Sequence, residues 1–204
     1  MVGDMDIRRM LADERAEMTA LLRELSEAEW DAPTLCTGWR VRELVAHLRY
    51  DSISLTEYAG ITVRNRFSID GVNNAMAAIG ARRTPAQLLA EFAAAAGSVS
   101  RWWPRLGLVD LFVHQQDIRR PLGRPREIPA DRLRAVLDRP DPFARPGRYT
   151  KGLQFAATDF DWVKGSGPAV RGRGEALALA MVGRPVVLDE LEGEGVAELR
   201  RRCS

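Results

Sequence analysis

The sequence predicts a mainly α protein, a four-helix bundle followed by a small α+β appendage. Three observations carry this reading. Four stretches within the first 120 residues repeat apolar residues at three- and four-residue steps, and cap or turn signals separate them. Six of the 11 prolines then crowd between Pro121 and Pro146. Beyond about Gly152 the apolar period shortens to alternation, the spacing of a strand. The expected organisation is a helical bundle over 1–138, a proline-rich linker over 139–150, and a small α+β module over 151–204.

In the first helix, residues 5–25, Ile7, Met10, Leu11, Met18, Leu21, Leu22 and Leu25 form one apolar stripe. Ser26 and Glu29 have capping-box spacing and open a short turn through Trp30. DAPTLCTGW is a connection punctuated by Pro33 and Gly38. A second helix is expected from about Arg40 to Tyr58, with Val41, Leu44, Val45 and Leu48 inward and His47 beside that stripe. Residues 60–83 hold a short helix around Val72 to Ile79. Thr84-Pro85-Ala86-Gln87 is a start signal: a Thr cap, Pro at the first helical position, and Gln to complete the box. The alanine-rich helix that follows should end near Trp102 and Trp103. The fourth, about Leu106 to Arg120, stops before Pro121 and Gly123.

Of the last part, GLQFAATDFDW reads as a strand, with Leu153, Phe155 and Ala157 on one side. GSGPAVRGRG reads as a turn, because it lacks the strand-then-helix spacing that cradles phosphates. GEALALAMVGRP is a helix closed by Gly183 and Pro185, and DELEGEGVAELRRR reads as one more short helix.

Composition removes several classes of function. Thirty basic against 28 acidic residues give a net charge of +2, without the clustered basic face of a nucleic-acid binder. No stretch approaches the roughly 20 apolar residues of a membrane span, and the charged N-terminus lacks a signal core, so the expected location is cytoplasmic. Two cysteines, Cys36 and Cys203, make no disulfide framework; Cys36 reads as a small turn residue rather than a nucleophile. Arg119 and Arg120 read as solvated charges at a helix C-terminus. The five tryptophans read chiefly as core and interface anchors.

The chain has only two histidines, and both fall where a metal ligand would be expected. His47 lies in RELVAHL. His114 lies in VDLFVHQQDIRRPLG, with Asp110 four residues before it and Asp117 three after. Positions four apart share a helix face, so Asp110 and His114 can point at one spot. A second imidazole from a facing helix would complete a three-ligand site with one position open, the arrangement of a catalytic zinc. Asp117 is placed to accept the other N–H of His114 and fix its tautomer. The competing reading makes each histidine a packed, hydrogen-bonded core residue, and the spacing alone leaves both open.

EWDAPTLCTGWRVRELVAHL resembles the hallmark segment of the mycothiol-dependent maleylpyruvate isomerase family, within the DinB-like superfamily of metal-binding four-helix bundles. VHQQDIRRPLGRPREIP resembles the family's second metal-bearing segment, and the tail from FAATDFDW onward is similar to its C-terminal part. The resemblance implies a metal triad at His47, Asp110 and His114, with Asp117 behind His114. Asp110 departs from the glutamate often found there, which implies a closer helix approach. Arg40 replaces the Thr or Ser that commonly caps the second helix.

The implied cofactors are a divalent metal ion, zinc by expectation, and mycothiol as cosubstrate. The implied function is a thiol transferase or isomerase in which the metal-held thiolate attacks a small electrophile. Two alternatives stand beside it: a non-catalytic bundle binding a small ligand or a partner, and a metal-dependent hydrolase using the same open position. The expected partners are the small-molecule thiol and the electrophile, with no nucleic acid and no membrane. The chain is expected to be a monomer or a homodimer; the alanine-rich face at Ala93 to Ala96 is where two copies could approach.

Overall fold

The computed structural model describes residues 3–94 and 100–204. Among them, no helix is long and apolar enough to cross a membrane. The chain packs as two units, Gly3–Pro125 and Arg126–Ser204.

The first unit opens with α1 (Asp4–Glu24), whose Ile7, Met10, Leu11, Met18, Leu21 and Leu22 are buried as the stripe predicts. Ser26 and Glu29 form the expected capping box at the start of α2 (Glu27–Trp30). Then come α3 (Val41–His47), α4 (Leu55–Arg64), α5 (Ile69–Ala77), α6 (Pro85–Ala94) and α7 (Pro104–Arg119). α1 packs against α6 and α7, and α3 packs against α6, giving the four helices of the bundle. Thr84 and Gln87 bond to each other's backbone amides ahead of α6, as read from the sequence. Of the alanine-rich face at Ala93 to Ala96, Ala95 and Ala96 lie outside the described residues.

The second bundle helix differs from the expectation of one run to Tyr58. It ends as an α-helix at His47 and tightens into a 3-10 turn, Leu48–Asp51. Ser54 then starts a new helix by accepting from the Glu57 amide at 3.1 Å. The physical reason lies at Asp51, which is buried and bound by the Arg15 guanidinium and by both the amide and hydroxyl of Ser100. A side chain fixed by two other parts of the bundle leaves the helix no room to continue straight. α4 and α5 form an excursion with its own small core of Ile53, Ile61, Val72 and Met76. At the start of α3, Glu43 bonds back to the Arg40 amide and guanidinium, which supplies the cap that Arg40 itself lacks.

The second unit holds α8 (Ala130–Asp138), α9 (Gly147–Thr150), β1 (Gln154–Ala157), β2 (Val163–Gly165), β3 (Ala169–Gly172), α10 (Gly174–Met181) and α11 (Val196–Arg202). Its division from the first falls after Pro125 rather than after Asp138, because α8 buries Leu133, Val136 and Leu137 and packs against α10. The proline-rich stretch 139–150 is not plain linker either; it contains a 3-10 turn at Pro142–Ala144 and α9. GSGPAVRGRG, read as a turn, supplies the end of β2 and all of β3 in a sheet ordered β2-β1-β3. β1 runs antiparallel to β2 and parallel to β3. Three- and four-residue strands are too short to show a period by themselves; β1 was legible because the alternation of Leu153, Phe155 and Ala157 begins before the strand does.

Candidate metal centre

His47 is the last residue of α3, and Asp110 and His114 lie one turn apart on α7. The structure brings the three together: each offers one ligand atom, and those atoms all lie within 4.8 Å of one another. The rings of His47 and His114 meet edge to face with centroids 5.2 Å apart. His47 is buried, while the side chains of His114 and Asp110 keep 12% and 16% of their surface exposed. The cluster is therefore enclosed on the α3 side and touches solvent on the α7 side.

Both edges of the His114 ring face carboxylates. Nε2 lies 3.4 Å from Asp110 Oδ1, and Nδ1 lies 3.0 Å from Asp117 Oδ2. Asp117, fully buried, thus takes the position behind His114 that its spacing suggested. A neutral His114 that donates Nδ1–H to Asp117 would present a bare Nε2 to the cluster, the tautomer a metal ligand needs.

Three further side chains complete the centre, none of them assigned to it by sequence reasoning. The Cys36 thiol donates to Asp117 Oδ2 at 3.1 Å and lies 3.7 Å from His114 Nδ1. Cys36 has no histidine near it in sequence, yet a folded neighbour is what matters. The Leu35 amide also donates to the Asp117 carbonyl, so one loop holds Asp117 by backbone and side chain together. The Trp39 ring, from the same loop, sits 5.3 Å from His47. The Tyr50 hydroxyl donates to Asp110 Oδ2 at 2.8 Å, and its ring lies 5.8 Å from His47. Position 50 being three residues after His47 was the available signal. Arg119, read as solvated, instead donates to Gln115 Oε1 and to the Arg124 carbonyl.

The electrostatics separate the two imidazoles. Burial first, and then the nearby His114 charge, push His47 down to about 4. For His114 burial also works against the charged form. It is outweighed by the Asp110 charge, by Cys36, and by hydrogen bonds to Asp110 and Asp117, so its pKa is raised well above 6.5. Burial likewise opposes ionisation of Asp110, but His114, His47 and the Tyr50 hydroxyl hold its carboxyl below the ordinary range.

The donor set fits a divalent cation of the zinc type: two imidazoles and one carboxylate leave one coordination position open. His47 Nδ1 is a buried nitrogen without a hydrogen-bond partner, a polar group whose demand the protein itself leaves unmet. Cys36, His114 and Asp117 form a second group of possible ligands, but it shares His114 and is bonded internally.

A proton count follows from the pKa directions. At pH 7 a metal-free His47 is neutral and Asp110 is ionised, so neither has a proton to give up. His114, whose pKa is raised, is expected to carry the one proton that binding a metal through Nε2 displaces. Zinc binding at pH 7 is expected to release about one proton, measurable by calorimetry in buffers of different ionisation enthalpy. Affinity should fall as pH drops, because protons compete for His114. Uptake of zinc without proton release would contradict the assignment of His114 as a ligand.

Residues 11–106 match the family model described as the mycothiol maleylpyruvate isomerase N-terminal domain. That span, somewhat under half of the chain, is thus similar to the family's N-terminal domain. The matched span contains Cys36, Trp39, His47 and Tyr50, and it ends four residues before Asp110. Two solved structures share the fold, that of the mycothiol-dependent maleylpyruvate isomerase and that of a point mutant of it. Each superposes with a TM-score of 0.64 at 16% identity, covering 95% of this chain and 93% of the other. The architecture is thus DinB-like, as the resemblance in the sequence implied. The comparison with curated proteins gave no match.

Proposed function

We propose that this chain is a metal-dependent enzyme that uses mycothiol to isomerise, or to become attached to, a small electrophile of the maleylpyruvate kind. The observation that carries the reading is the convergence of His47, Asp110 and His114 inside a fold shared with the mycothiol-dependent isomerase. A bound divalent cation supplies Lewis acidity that lets a thiol ionise near neutral pH. Everything else falls to the chain's own side chains. His47 and His114 present neutral nitrogens, Asp110 supplies the compensating charge, and Asp117 keeps the His114 proton on Nδ1. Trp39 and Tyr50 flank His47 and keep water from its ring.

Addition of a thiol to a conjugated cis double bond leaves a single bond about which the product rotates. Expulsion of the same thiol restores the double bond in the trans geometry and returns the thiol, so the step balances. Transfer is the same addition without the expulsion.

The test is turnover of maleylpyruvate by zinc-loaded protein with mycothiol, with another thiol, and with none. The expected result is isomerisation that needs both zinc and mycothiol. Mycothiol alone should also raise the Tm of the zinc-loaded protein, since a ligand at 100 times its Kd stabilises by about 2.7 kcal/mol. Zinc-loaded protein that neither turns over electrophiles with mycothiol nor gains stability from it overturns the reading.

A further inference from the structure

We infer that Tyr50 is a positioning residue that makes Asp110 a single-oxygen ligand, its hydroxyl holding Oδ2 while Oδ1 faces His114. This rests on the metal-centre reading above and adds to it the residue that sets the carboxylate's binding mode.

The backbone explains how Tyr50 reaches that place. In an α-helix residues three apart diverge by about 60° around the axis, whereas in a 3-10 turn they eclipse. The chain changes from α to 3-10 immediately after His47, over Leu48–Asp51. Tyr50 is thereby set over the same face as His47, with ring centroids 5.8 Å apart. Asp51, the next residue, is locked by Arg15 and Ser100, which holds the turn in its tightened form.

The two oxygens of Asp110 then have different partners. Oδ2 accepts the Tyr50 hydroxyl at 2.8 Å, and Oδ1 lies 3.4 Å from His114 Nε2. A carboxylate held by a donor on one oxygen is oriented as well as polarised, and swinging to offer both oxygens to one cation would bend or break that hydrogen bond. This bears on aspartate in particular. Its short side chain gives little freedom to correct a wrong angle, so a partner that sets the angle counts for more. A single-oxygen ligand beside two imidazoles keeps the coordination number low and one position open, which suits zinc over larger cations that take oxygen in pairs.

The experiment is titration of the whole chain with Zn2+ against a competing chelator, for wild type, Tyr50→Phe and His114→Ala, with the Tm of each metal-free protein recorded. Tyr50→Phe is expected to lose about 10- to 100-fold in zinc affinity, as loss of an outer partner does, with a metal-free Tm near wild type. Its Co2+ visible absorption should also weaken, because a released carboxylate binds through both oxygens and raises the coordination number. A purely structural tyrosine would move Tm and leave that spectrum unchanged. Equal zinc affinity and an equal Co2+ spectrum in wild type and Tyr50→Phe overturn the inference alone. Zinc binding absent from wild type, or retained in His114→Ala, overturns the metal centre itself and the inference with it. Should Tyr50→Phe fail to fold, 3-fluorotyrosine can be placed in the wild-type chain, whose only tyrosines are Tyr50, Tyr58 and Tyr149. Of their three fluorine resonances, only that of Tyr50 is expected to shift on adding Zn2+, and its failure to move overturns the inference.

Discussion

His114→Ala is expected to abolish metal binding at the proposed centre and to remove a large share of the stability of the first unit. Asp110 and Asp117 face opposite edges of that ring, and Asp117 is completely buried. Removing the imidazole leaves two carboxylates without the cation between them and a cavity where the ring stood. Breaking a buried charge pair by deleting one partner costs about 3–5 kcal/mol, most of it from the charge left behind. For a domain whose total stability is about 5–15 kcal/mol this is a severe loss. Metal content near one zinc per chain in wild type should fall to background in the variant, in protein carrying no polyhistidine tag. Denaturant unfolding of the metal-free proteins measures the second effect. A variant that keeps equimolar zinc would remove His114 from the site. Wild-type stability would mean that the ring is not the partner of the buried carboxylates.

The second large effect is expected far from any ligand, at Gly80. A Cβ there would sit 2.5 Å from the Arg42 carbonyl oxygen and 2.9 Å from the Glu43 Cα. Both belong to the first turn of α3, so the obstacle is backbone and cannot rotate away. Glu43 is also the residue that closes the start of α3 by bonding to the Arg40 amide. Gly80→Ala should therefore push on the helix that carries His47 one turn later. Overpacking of this kind costs about 1–3 kcal/mol, and a displacement of about 1 Å at a catalytic centre can cost roughly 100-fold in rate. Gly60→Ala is the control. It lies inside α4, where a Cβ meets only the end of the Arg64 side chain at 3.4 Å, and alanine there should stabilise by about 0.5–1 kcal/mol. If Gly80→Ala matches wild type in both Tm and zinc affinity, the turn at Gly80 yields without moving α3.

Much of the fold was legible because its signals are local. The stripe on α1 and the Ser26–Glu29 and Thr84–Gln87 boxes each depend on residues within one turn of each other. The errors share the opposite property. The second bundle helix was drawn through Asp51 because nothing near it in sequence shows that Arg15 and Ser100 will seize that side chain. α8 was placed with the wrong unit because its amphipathic stripe does not say which partner buries it. β3 and the end of β2 were read as a turn because these short strands are defined by pairing with β1, not by their own pattern.

The candidate site divides along the same line. Asp110, His114 and Asp117 were set by the sequence alone, since spacings of four and three on one helix dictate a shared face whatever surrounds it. Spacing left His47 open and only the resemblance joined it to them; that Cys36 reaches Asp117 from a loop 81 positions away, and Tyr50 reaches Asp110 from 60 away, only the tertiary structure decided. Helical periodicity fixes which side of a helix a residue occupies; packing of one helix on another decides what that side will meet.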